Sequence, residues 1–388
     1  MRTVTVVGAS LAGLYAAREL RAQGFDGRLV IVGEERHRPY DRPPLSKDFL
    51  TGSADEGRLA LADAEEETEL AAEWLLATRA RGLDARGRTL LLEDGRTVAT
   101  DGVVIATGAS ARPLPGADGL AGVHTLRTLD DAYALREALS GTSRRVVVIG
   151  GGFIGAETAS SCASLGHEVT VVEAAPLPLV PQLGPDMAGV CATLHRRGGT
   201  ELITGSGVAR LHGGNAVSAV ELADGRVLPA DVVVVGIGAV PNTRWLAGSA
   251  LLVSDGVLCD DGCATALPQV VAVGDVARVG AVRTEHWTSA TEQPAVAVRN
   301  LLAGRTVEHV RPLPYFWSDQ YGARIQFAGR RRDGDAVRVV DGSIDEGSFL
   351  ALYERDGRTT SVLAVDRSRP FLRARRDLAR AAQPAPAA

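Results

Sequence analysis

Two glycine-rich loops, each between a β-branched apolar run and a helical pattern, most strongly constrain the fold of this chain. The first begins VVGASLAG at residue 6 and the second begins VVVIGGGFIG at residue 146. Both are followed by a second apolar run that ends in an acidic residue, Glu34 in the first copy and Glu173 in the second. This order of strand, loop, helix, strand and acid is typical of a dinucleotide-binding βαβ unit. Two such units in one chain predict two bound nucleotides.

In the second loop each glycine has a separate physical task. Gly150 permits a tight turn, Gly152 lets the backbone approach a pyrophosphate, and Gly155 lets the helix pack against the strand. The helix N-terminus offers free N–H groups and a partial positive charge to the phosphates. Glu173 is expected to accept hydrogen bonds from a free ribose hydroxyl pair, and no arginine follows it in residues 174–176. We therefore predict NADH rather than NADPH as the ligand of this loop.

The first loop departs from this pattern at one position. Gly8 and Gly13 are present, but Ser10 stands where the middle glycine is expected. A helix-starting turn without a ligand is the alternative interpretation, and Gly8, Gly13 and Glu34 weigh against it. Serine adds only a hydroxymethyl group, whose hydroxyl can donate to a phosphate or simply fit beside it. We expect the substitution to be tolerated if the backbone of Ser10 keeps a negative φ.

Three further apolar runs end in glycine turns and complete the set of motifs. They are GVVIATGA at residues 102–109, VVVVGIGAVPN at residues 232–242 and VVAVGDV at residues 270–276. Asp275, at the end of the last run and next to a glycine, could reach the ribityl or pyrophosphate part of a larger nucleotide. Each run alone is also compatible with a core strand followed by a turn, and only the order of the three runs indicates nucleotide-binding domains.

That order predicts the domain organisation of an α/β protein. One Rossmann-like nucleotide-binding domain, residues 1–107 and 237–305, is interrupted by a second, residues 108–236. Residues 306–388 contain several short strands and an arginine-rich helix, and they are predicted to form a C-terminal α+β domain. The final residues, QPAPAA, are predicted to be disordered.

The composition limits the classes of protein to be considered. A net charge of −5 argues against a nucleic-acid-binding protein, which needs a broad basic surface. No apolar run approaches the roughly 20 residues that span a bilayer, and we expect no signal peptide because MRTVTVV leads directly into a strand. The four cysteines are too scattered for a disulfide framework, and Cys259 and Cys263 lack further ligands for zinc. We expect a cytoplasmic protein without a metal site.

Longer motifs outside the glycine loops are spread along nearly the whole chain. These are RPYDRPPLSKDFL at 38–50, IATGA at 105–109, LRTLDDA at 126–132, GIGAVPNT at 236–243, AVGDVA at 272–277, EHWTSATEQ at 285–293 and PYFWSDQYGARIQFAG at 314–329. With them the sequence resembles the FAD-dependent, NADH-using ferredoxin reductases that supply oxygenases, within the glutathione-reductase-like flavoproteins. The resemblance implies that the first domain binds FAD and the second binds NADH.

The resemblance also implies roles for individual residues. The FAD contacts would be Gly8, Ser10, Gly13, Glu34, Arg42, Lys47, Thr107, Gly108, Arg127, Asp275, Glu285, His286 and Trp287, and the NAD contacts Gly150, Gly152, Gly155, Glu157, Glu173 and Gly238. Lys47, Glu157 and Trp287 would be catalytic: Lys47 would pair with Glu157 near flavin N5 and rearrange when nicotinamide enters. Without the resemblance, Lys47 is a solvated cation in a proline-stiffened loop, Glu157 an exposed helix residue and Trp287 a core residue.

The implied function is electron transfer from NADH through FAD to a 2Fe–2S ferredoxin that serves an oxygenase or a haem-thiolate monooxygenase. Such a protein must align nicotinamide with the flavin and expose a docking surface. A disulfide reductase is disfavoured because no cysteine precedes Cys162, and a cysteine-dependent peroxidase or oxidase because residues 45–47 read Leu-Ser-Lys. The remaining alternatives are an NADH-binding flavoprotein scaffold and an NADH oxidase or diaphorase without a dedicated ferredoxin.

Arginines in the last third of the chain are candidates for docking an acidic ferredoxin. They are Arg311, Arg330, Arg331 and Arg332, followed by Arg367, Arg369, Arg373, Arg375, Arg376 and Arg380. A solvated helix face is the alternative interpretation of the second group. The sequence predicts neither the oligomeric state nor the identity of the ferredoxin.

Overall fold

The computed structural model describes residues 1–117, 119–311 and 313–381, so the predicted disordered tail lies outside the described residues. The α-helices are α1 (Leu11–Ala22), α2 (Asp48–Thr51), α3 (Ala64–Leu70), α4 (Leu129–Ala138), α5 (Phe153–Ser164), α6 (Val180–Arg197), α7 (Trp287–Ala303) and α8 (Ser368–Ala381). The strands of the first part of the chain are β1 (Thr3–Val7), β2 (Arg28–Val32), β3 (Ala72–Leu75), β4 (Ala80–Asp84), β5 (Thr89–Leu92), β6 (Thr97–Ala99), β7 (Gly102–Ile105), β8 (Ala109–Ala111), β9 (Val123–Thr125), β10 (Arg145–Ile149), β11 (Glu168–Glu173), β12 (Glu201–Thr204) and β13 (Val208–Gly213). The later strands are β14 (Val217–Leu222), β15 (Val227–Pro229), β16 (Val232–Val235), β17 (Ala239–Pro241), β18 (Val257–Cys259), β19 (Val270–Ala272), β20 (Ala277–Val279), β21 (Val282–Arg283), β22 (Tyr315–Gln320), β23 (Ala323–Gly329), β24 (Ala336–Ser343), β25 (Ser348–Arg355) and β26 (Arg358–Val365).

The chain divides into two compact units. The first unit consists of Met1–Asp41, Glu56–Ser110 and Ala239–Pro314, and the second of Arg42–Asp55, Ala111–Gly238 and the chain from Tyr315 onward. Each unit contains one of the two glycine loops at the end of a strand in a parallel sheet. The predicted α/β class with two Rossmann-like units is therefore confirmed, whereas the exact domain boundaries stay a prediction.

The sheet of the first unit has the parallel strand order β19-β7-β1-β2-β3. Because the sheet is covered on both faces, β7 (GVVI) and β2 (RLVIV) are nearly continuous apolar runs, and even Thr5 of the central strand β1 is fully buried. On one face Ile31 joins a core with Leu20 of α1 and Leu301 of α7. On the other face Ile105 packs with Leu90 of the antiparallel sheet β4-β5-β6.

The parallel sheet of the second unit has the strand order β12-β11-β10-β16-β9. Its central strand β10 ends at Ile149, which lies opposite Val172 of β11 and Val235 of β16. The antiparallel sheet β13-β14-β15 covers one face, where Val220 and Leu222 join Ile149 in a core. The strand ends that precede the second glycine loop are thus held in register.

The C-terminal segment forms an antiparallel sheet with the strand order β22-β23-β26-β25-β24. On one face Phe371 of α8 is buried against Val362 and its neighbours. On the other face Met187 of α6 packs against Phe327 and Tyr353. The C-terminal sheet therefore shares a core with a helix of the second nucleotide-binding segment, which explains why both belong to the same compact unit.

Candidate functional site

The first glycine loop has the backbone geometry that its sequence predicts. Gly8 has φ +120°, and a Cβ there would lie 2.0 Å from the carbonyl oxygen of Ala106. A Cβ on Gly13 would lie 1.8 Å from the carbonyl oxygen of Gly8. Ser10 is the N-cap residue of α1 with φ −117°, so it meets the condition of a negative φ. Glycine is therefore required at the two outer positions and not at the middle one.

The predicted FAD contacts after β7 and β19 lie at the carboxyl edge of the first parallel sheet. Thr107 and Gly108 follow β7, and Asp275 follows β19. Asn242, a residue not predicted from the sequence, holds the turn after β7. Its side-chain amide donates to the backbone carbonyl of Thr107 at 2.9 Å, and its backbone carbonyl accepts from Thr107 Oγ1 at 2.8 Å. Nucleotides bind in this position in open parallel sheets, so the edge fits an FAD ligand.

The two acids that follow β2 have different partners within the first unit. Glu34, the predicted ribose ligand, is 60% exposed and forms an ion pair with Arg79. Glu35 accepts a hydrogen bond from the hydroxyl of Tyr40 at 2.5 Å. The predicted role of Glu34 therefore requires its carboxylate to leave or share the Arg79 contact, and that role stays a prediction.

The predicted flavin neighbours before α7 are positioned by residues from other segments. His286 is the N-cap residue of α7, and Trp287 begins the helix. Trp287 Nε1 donates to Asp41 at 3.0 Å, while Glu285 forms a 2.6 Å ion pair with Arg283. Trp287 is only partly buried, which differs from the alternative of an ordinary core residue. Asp41 and Arg283 are contacts that the sequence analysis missed.

A buried glutamine links α7 to the turn that carries Asp275. Gln293 Oε1 accepts a hydrogen bond from the backbone N–H of Gly274 at 2.8 Å. Gly274 has φ +70°, a conformation that favours glycine, and Asp275 follows it directly. The Gly-Asp turn is thereby fixed at the edge of the sheet where the predicted contact of Asp275 is needed.

The second glycine loop has two glycines that the protein itself requires and one that it does not. A Cβ on Gly150 would lie 2.3 Å from the carbonyl oxygen of Gly236, and a Cβ on Gly155 would lie 2.0 Å from that of Gly150. At Gly152, the N-cap residue of α5, an added Cβ would meet no heavy atom within 4 Å among the described residues other than its chain neighbours. The open space at Gly152 lies at a helix N-terminus, and such a place fits a pyrophosphate.

The acid and the last glycine predicted for NAD also lie at the carboxyl edge of the second sheet. Glu173 ends β11, and its two carboxylate oxygens accept from the backbone N–H groups of Gly151 and Ala175, both at 2.9 Å. Gly238 follows β16 with φ +98°, and its carbonyl accepts from the Arg112 N–H at 2.9 Å. The carboxylate of Glu173 is thus oriented by the same loop that would hold the pyrophosphate.

Glu157 lies in a buried polar cluster in the second unit. Its carboxylate is 3% exposed, and Lys47 Nζ donates to Oε2 at 2.7 Å. Ser46 Oγ donates to the same oxygen at 2.5 Å, and Ser318 Oγ donates to Oε1 at 2.8 Å. The ion pair with Lys47 is present as predicted, and the alternative of an exposed Glu157 is wrong. The contacts of the two serines were not foreseen from the sequence.

Two further predicted FAD contacts lie together in the second unit. The guanidinium of Arg42 donates to the backbone carbonyl of Arg127 at 2.6 Å. The backbone N–H groups of Arg127 and Thr128 both donate to Asp131 at 2.9 Å, within the capping box at the start of α4. Two arginines on a fixed backbone suit an anionic or electron-rich ligand.

Two known protein families match this chain, one over the segment with the glycine loops and the other over the C-terminal sheet. Residues 2–294 match the family of pyridine nucleotide-disulphide oxidoreductases, and residues 315–388 match the Reductase C-terminal family. The chain belongs to the pyridine nucleotide-disulphide oxidoreductase family.

Similar members of the family cover nearly the whole chain. Rhodocoxin reductase from Rhodococcus erythropolis is 35% identical over 386 residues, which are 97% of this chain and 89% of that protein. The ferredoxin–NAD(+) reductase subunit of a benzene 1,2-dioxygenase system from Pseudomonas putida is 36% identical over 379 residues, 96% of this chain and 91% of that protein. The solved covalent putidaredoxin reductase–putidaredoxin complex matches with a TM-score of 0.91 at 32% identity, over 97% of this chain and 93% of that chain. The resemblance to ferredoxin reductases is confirmed.

The cysteines of this pyridine nucleotide-disulphide oxidoreductase are all free and buried. Burial raises the pKa of Cys162, Cys191 and Cys259 to about 12 and also raises that of Cys263. A thiol that stays protonated is a poor nucleophile. Among residues 1–117, 119–311 and 313–381, no group of three or more His, Cys, Asp or Glu side chains is placed to hold a metal ion. Within the same ranges no helix is long and apolar enough to cross a bilayer.

One of the arginines predicted to dock a ferredoxin is not available for docking. The side chain of Arg331 is 9% exposed, and its guanidinium donates to the carbonyls of Val180 and Pro181 at the start of α6 and to Asp333. The prediction of a docking surface at Arg331 is wrong, because the guanidinium supplies donors to a helix start. The arginines that remain exposed are Arg311, Arg330, Arg332, Arg369, Arg373, Arg376 and Arg380.

Glu173→Ala is expected to weaken NADH binding and to narrow the preference for NADH over NADPH about tenfold. The change removes ribose hydrogen bonds, each of which contributes roughly 1 kcal/mol or more, and removes the charge that would repel a 2′-phosphate. Steady-state KM values for both nucleotides measure the effect. Glu168→Ala, at the exposed start of the same strand, is the matched control. An unchanged NADH/NADPH ratio in Glu173→Ala would contradict the assignment.

Proposed function

We propose that this protein is an FAD-containing, NADH-dependent ferredoxin reductase that passes electrons to a 2Fe–2S ferredoxin of an oxygenase system. The observation that carries the proposal is the presence of two glycine loops, each at the carboxyl edge of its own parallel sheet, in a chain that matches ferredoxin reductases over nearly its full length. When bound, NADH supplies a hydride, and FAD accepts two electrons and delivers them one at a time.

In the second unit the chain's own groups bind and orient the dinucleotide. The N-terminus of α5 and the open space at Gly152 receive the pyrophosphate, and Glu173 receives the ribose hydroxyls. In the first unit the N-terminus of α1 and the turns after β7 and β19 do the same for FAD. The fixed positions of Asn242 and Gln293 keep those turns in place before a ligand arrives.

The ion pair of Lys47 and Glu157 is proposed to act as a gate on the hydride path. The charges of Lys47 and Glu157 neutralise each other in a site where Glu157 is almost inaccessible to water. The Lys47 ammonium, on a flexible stem, can move when nicotinamide enters, whereas Glu157 is held by α5. The role of Trp287 as a neighbour of the nicotinamide is likewise a proposal, supported by its place at the start of α7.

A single set of measurements tests the proposed function. The purified protein should be yellow, and NADH should bleach it without oxygen. Reduction of cytochrome c by NADH should then be measured with and without an added 2Fe–2S ferredoxin. Ferredoxin-dependent reduction supports the proposal. Fast reduction that does not need ferredoxin would indicate a diaphorase, and bleaching without turnover would indicate a flavoprotein scaffold.

Charge reversal at exposed arginines is expected to weaken ferredoxin binding selectively. Arg330→Glu with Arg332→Glu, and separately Arg311→Glu, should raise the KM for ferredoxin roughly threefold to tenfold at low salt, because complementary charge speeds encounter. The KM for NADH should stay unchanged. Arg226→Glu, at an exposed arginine on the β14–β15 hairpin, controls for a change of net charge alone. Ferredoxin kinetics that stay unchanged at low salt would show that docking occurs elsewhere.

A cytoplasmic location is also proposed. It is supported by the four free cysteines, since reducing compartments keep thiols unpaired. Localisation of a tagged full-length protein by cell fractionation tests it.

A further inference from the structure

The carboxylate of Glu157 is surrounded by more hydrogen-bond donors than its ion pair requires. Oε2 accepts from Ser46 as well as from Lys47, and Oε1 accepts from Ser318 and from the backbone N–H of Asp319 at 3.3 Å. Three of these donors are neutral and remain in place if Lys47 moves. An ionised carboxylate left in a buried site without donors is strongly destabilised, so these neutral contacts matter most when the cation is absent.

The neutral donors are themselves oriented by neighbouring groups. Gln320 Nε2 donates to Ser318 Oγ at 3.1 Å, and a serine hydroxyl has one proton, so that proton is directed to Glu157. The backbone carbonyl of Ser46 accepts from Ser161 on α5 at 2.6 Å. The turn after β22 is joined to α5 as well, because the Tyr321 N–H donates to Ser160 Oγ at 2.7 Å. Strand β22 of the C-terminal sheet is thus fixed against the helix that carries Glu157.

The cation of this cluster is unusual for this sequence. Lys47 is the only lysine in 388 residues, so all the other Lys or Arg side chains of the chain are arginines. An arginine would bind a carboxylate through two parallel hydrogen bonds and would remain charged at all relevant pH values. Lysine is a point charge on a flexible chain, so its contact with one oxygen of Glu157 is easier to break. The choice of lysine at position 47 and the neutral donors around Glu157 both indicate that this ion pair can open.

We propose that Ser318, oriented by Gln320, and Ser46 are positioning residues that hold Glu157 as a carboxylate while Lys47 withdraws. The C-terminal sheet would then contribute to hydride transfer through β22, in addition to any part in ferredoxin docking. This inference rests on the proposed function, because opening of the pair matters only if nicotinamide enters beside it.

Two measurements on the flavin-loaded full-length protein test the inference. Ser318→Ala should slow anaerobic flavin bleaching at saturating NADH about tenfold, because a hydrogen bond to a charged group is lost in the open state. The NADH concentration at half-maximal bleaching rate should not change. Selective labelling with ε-¹³C lysine gives one side-chain NMR signal, and an unreactive tetrahydro analogue of NADH should shift it in the wild type and much less in Ser318→Ala.

Ser361→Ala is the matched control, since Ser361 is a fully buried serine of the same sheet whose hydroxyl has no hydrogen-bond partner among the described residues. In the Ser361→Ala protein, NADH should bleach the flavin at the wild-type rate, and the NADH analogue should shift the lysine NMR signal as in the wild type. A second control is Ser318→Ala combined with Glu157→Gln, which should bleach no more slowly than Glu157→Gln alone. Equal rates and NMR shifts in Ser318→Ala and Ser361→Ala would overturn the inference, as would an added loss in the double variant.

The same variants separate this inference from the function on which it rests. Slow bleaching in Glu157→Gln together with a normal rate in Ser318→Ala would overturn the role of the serine and leave the gate intact. Normal bleaching in Glu157→Gln would overturn the gate itself, and the inference with it.

Discussion

Glu157→Ala is expected to slow anaerobic bleaching of the flavin by NADH at least tenfold, while the protein stays yellow. The physical reason is that Lys47 would lose the only acidic group placed against it in the described structure and would remain as a partly buried, uncompensated cation. Breaking a buried ion pair by removing one partner costs about 3–5 kcal/mol, so the cation will seek another position. Lys47→Ala should slow bleaching as well, because the carboxylate keeps only its neutral donors and no cation is left to move when nicotinamide enters.

Rapid mixing without oxygen measures this effect through the loss of flavin absorbance. Lys47→Arg keeps the charge but allows two hydrogen bonds to the carboxylate, so it should also bleach slowly if the pair has to open. Asp335→Ala is the matched control, because it removes the acid of an ion pair with Arg355 of β25 in which the Asp335 side chain is inaccessible to solvent. It should lower the thermal midpoint and leave bleaching unchanged. Normal bleaching in both Glu157→Ala and Lys47→Ala would remove the proposed gate.

Gly152→Ala is expected to raise the KM for NADH tenfold or more in a protein that folds normally and retains its flavin. Within the part of the chain that the structure describes, an added Cβ at Gly152 meets no atom within 4 Å other than those of its chain neighbours, so the protein itself tolerates it. A pyrophosphate against the backbone would meet that Cβ, and overpacking of one methyl group typically costs 1–3 kcal/mol. Thermal melting of the variant, followed by NADH titration, separates the effect on the ligand from the effect on the fold.

Gly155→Ala provides the contrast within the same loop. Its Cβ would lie 2.0 Å from the carbonyl oxygen of Gly150, so this variant should lose stability whether or not NADH is present. Ser10→Gly in the first loop should leave the KM for NADH unchanged, since it alters a different nucleotide site. A Gly152→Ala protein with normal NADH affinity would show that the dinucleotide does not approach the backbone at this position.

Much of the candidate site could be predicted because the chemistry is carried by short, local patterns. Each glycine loop lies between the strand and the helix that it joins, so its sequence specifies its backbone conformation directly. Thr107, Gly108, Gly238 and Asp275 were predicted as cofactor contacts by the same logic, since each follows a continuous apolar strand. Lys47 and Glu157 could be paired in advance only through the family resemblance, because 110 residues separate them.

The contacts that sequence analysis missed are made between distant segments. Ser318 lies 161 residues from Glu157, and Asp41 lies 246 residues from Trp287. Arg331 was misassigned for the same reason: its neighbours in sequence are exposed arginines, while the carbonyls that it binds are about 150 residues away. No periodicity or local motif encodes such partners.

The two βαβ units and the requirement for glycine at their tight turns could be read from the sequence alone, and so could the prediction that Glu173 binds a free ribose. These follow from backbone sterics and from residues adjacent in the chain. The exposed arginines, the side chains that hold the turns at the sheet edges and the donors around Glu157 could be identified only from the folded structure. A buried carboxylate depends on all the donors around it, and here they come from two segments distant from Glu157 in the chain, residues 46–47 and residues 318–319.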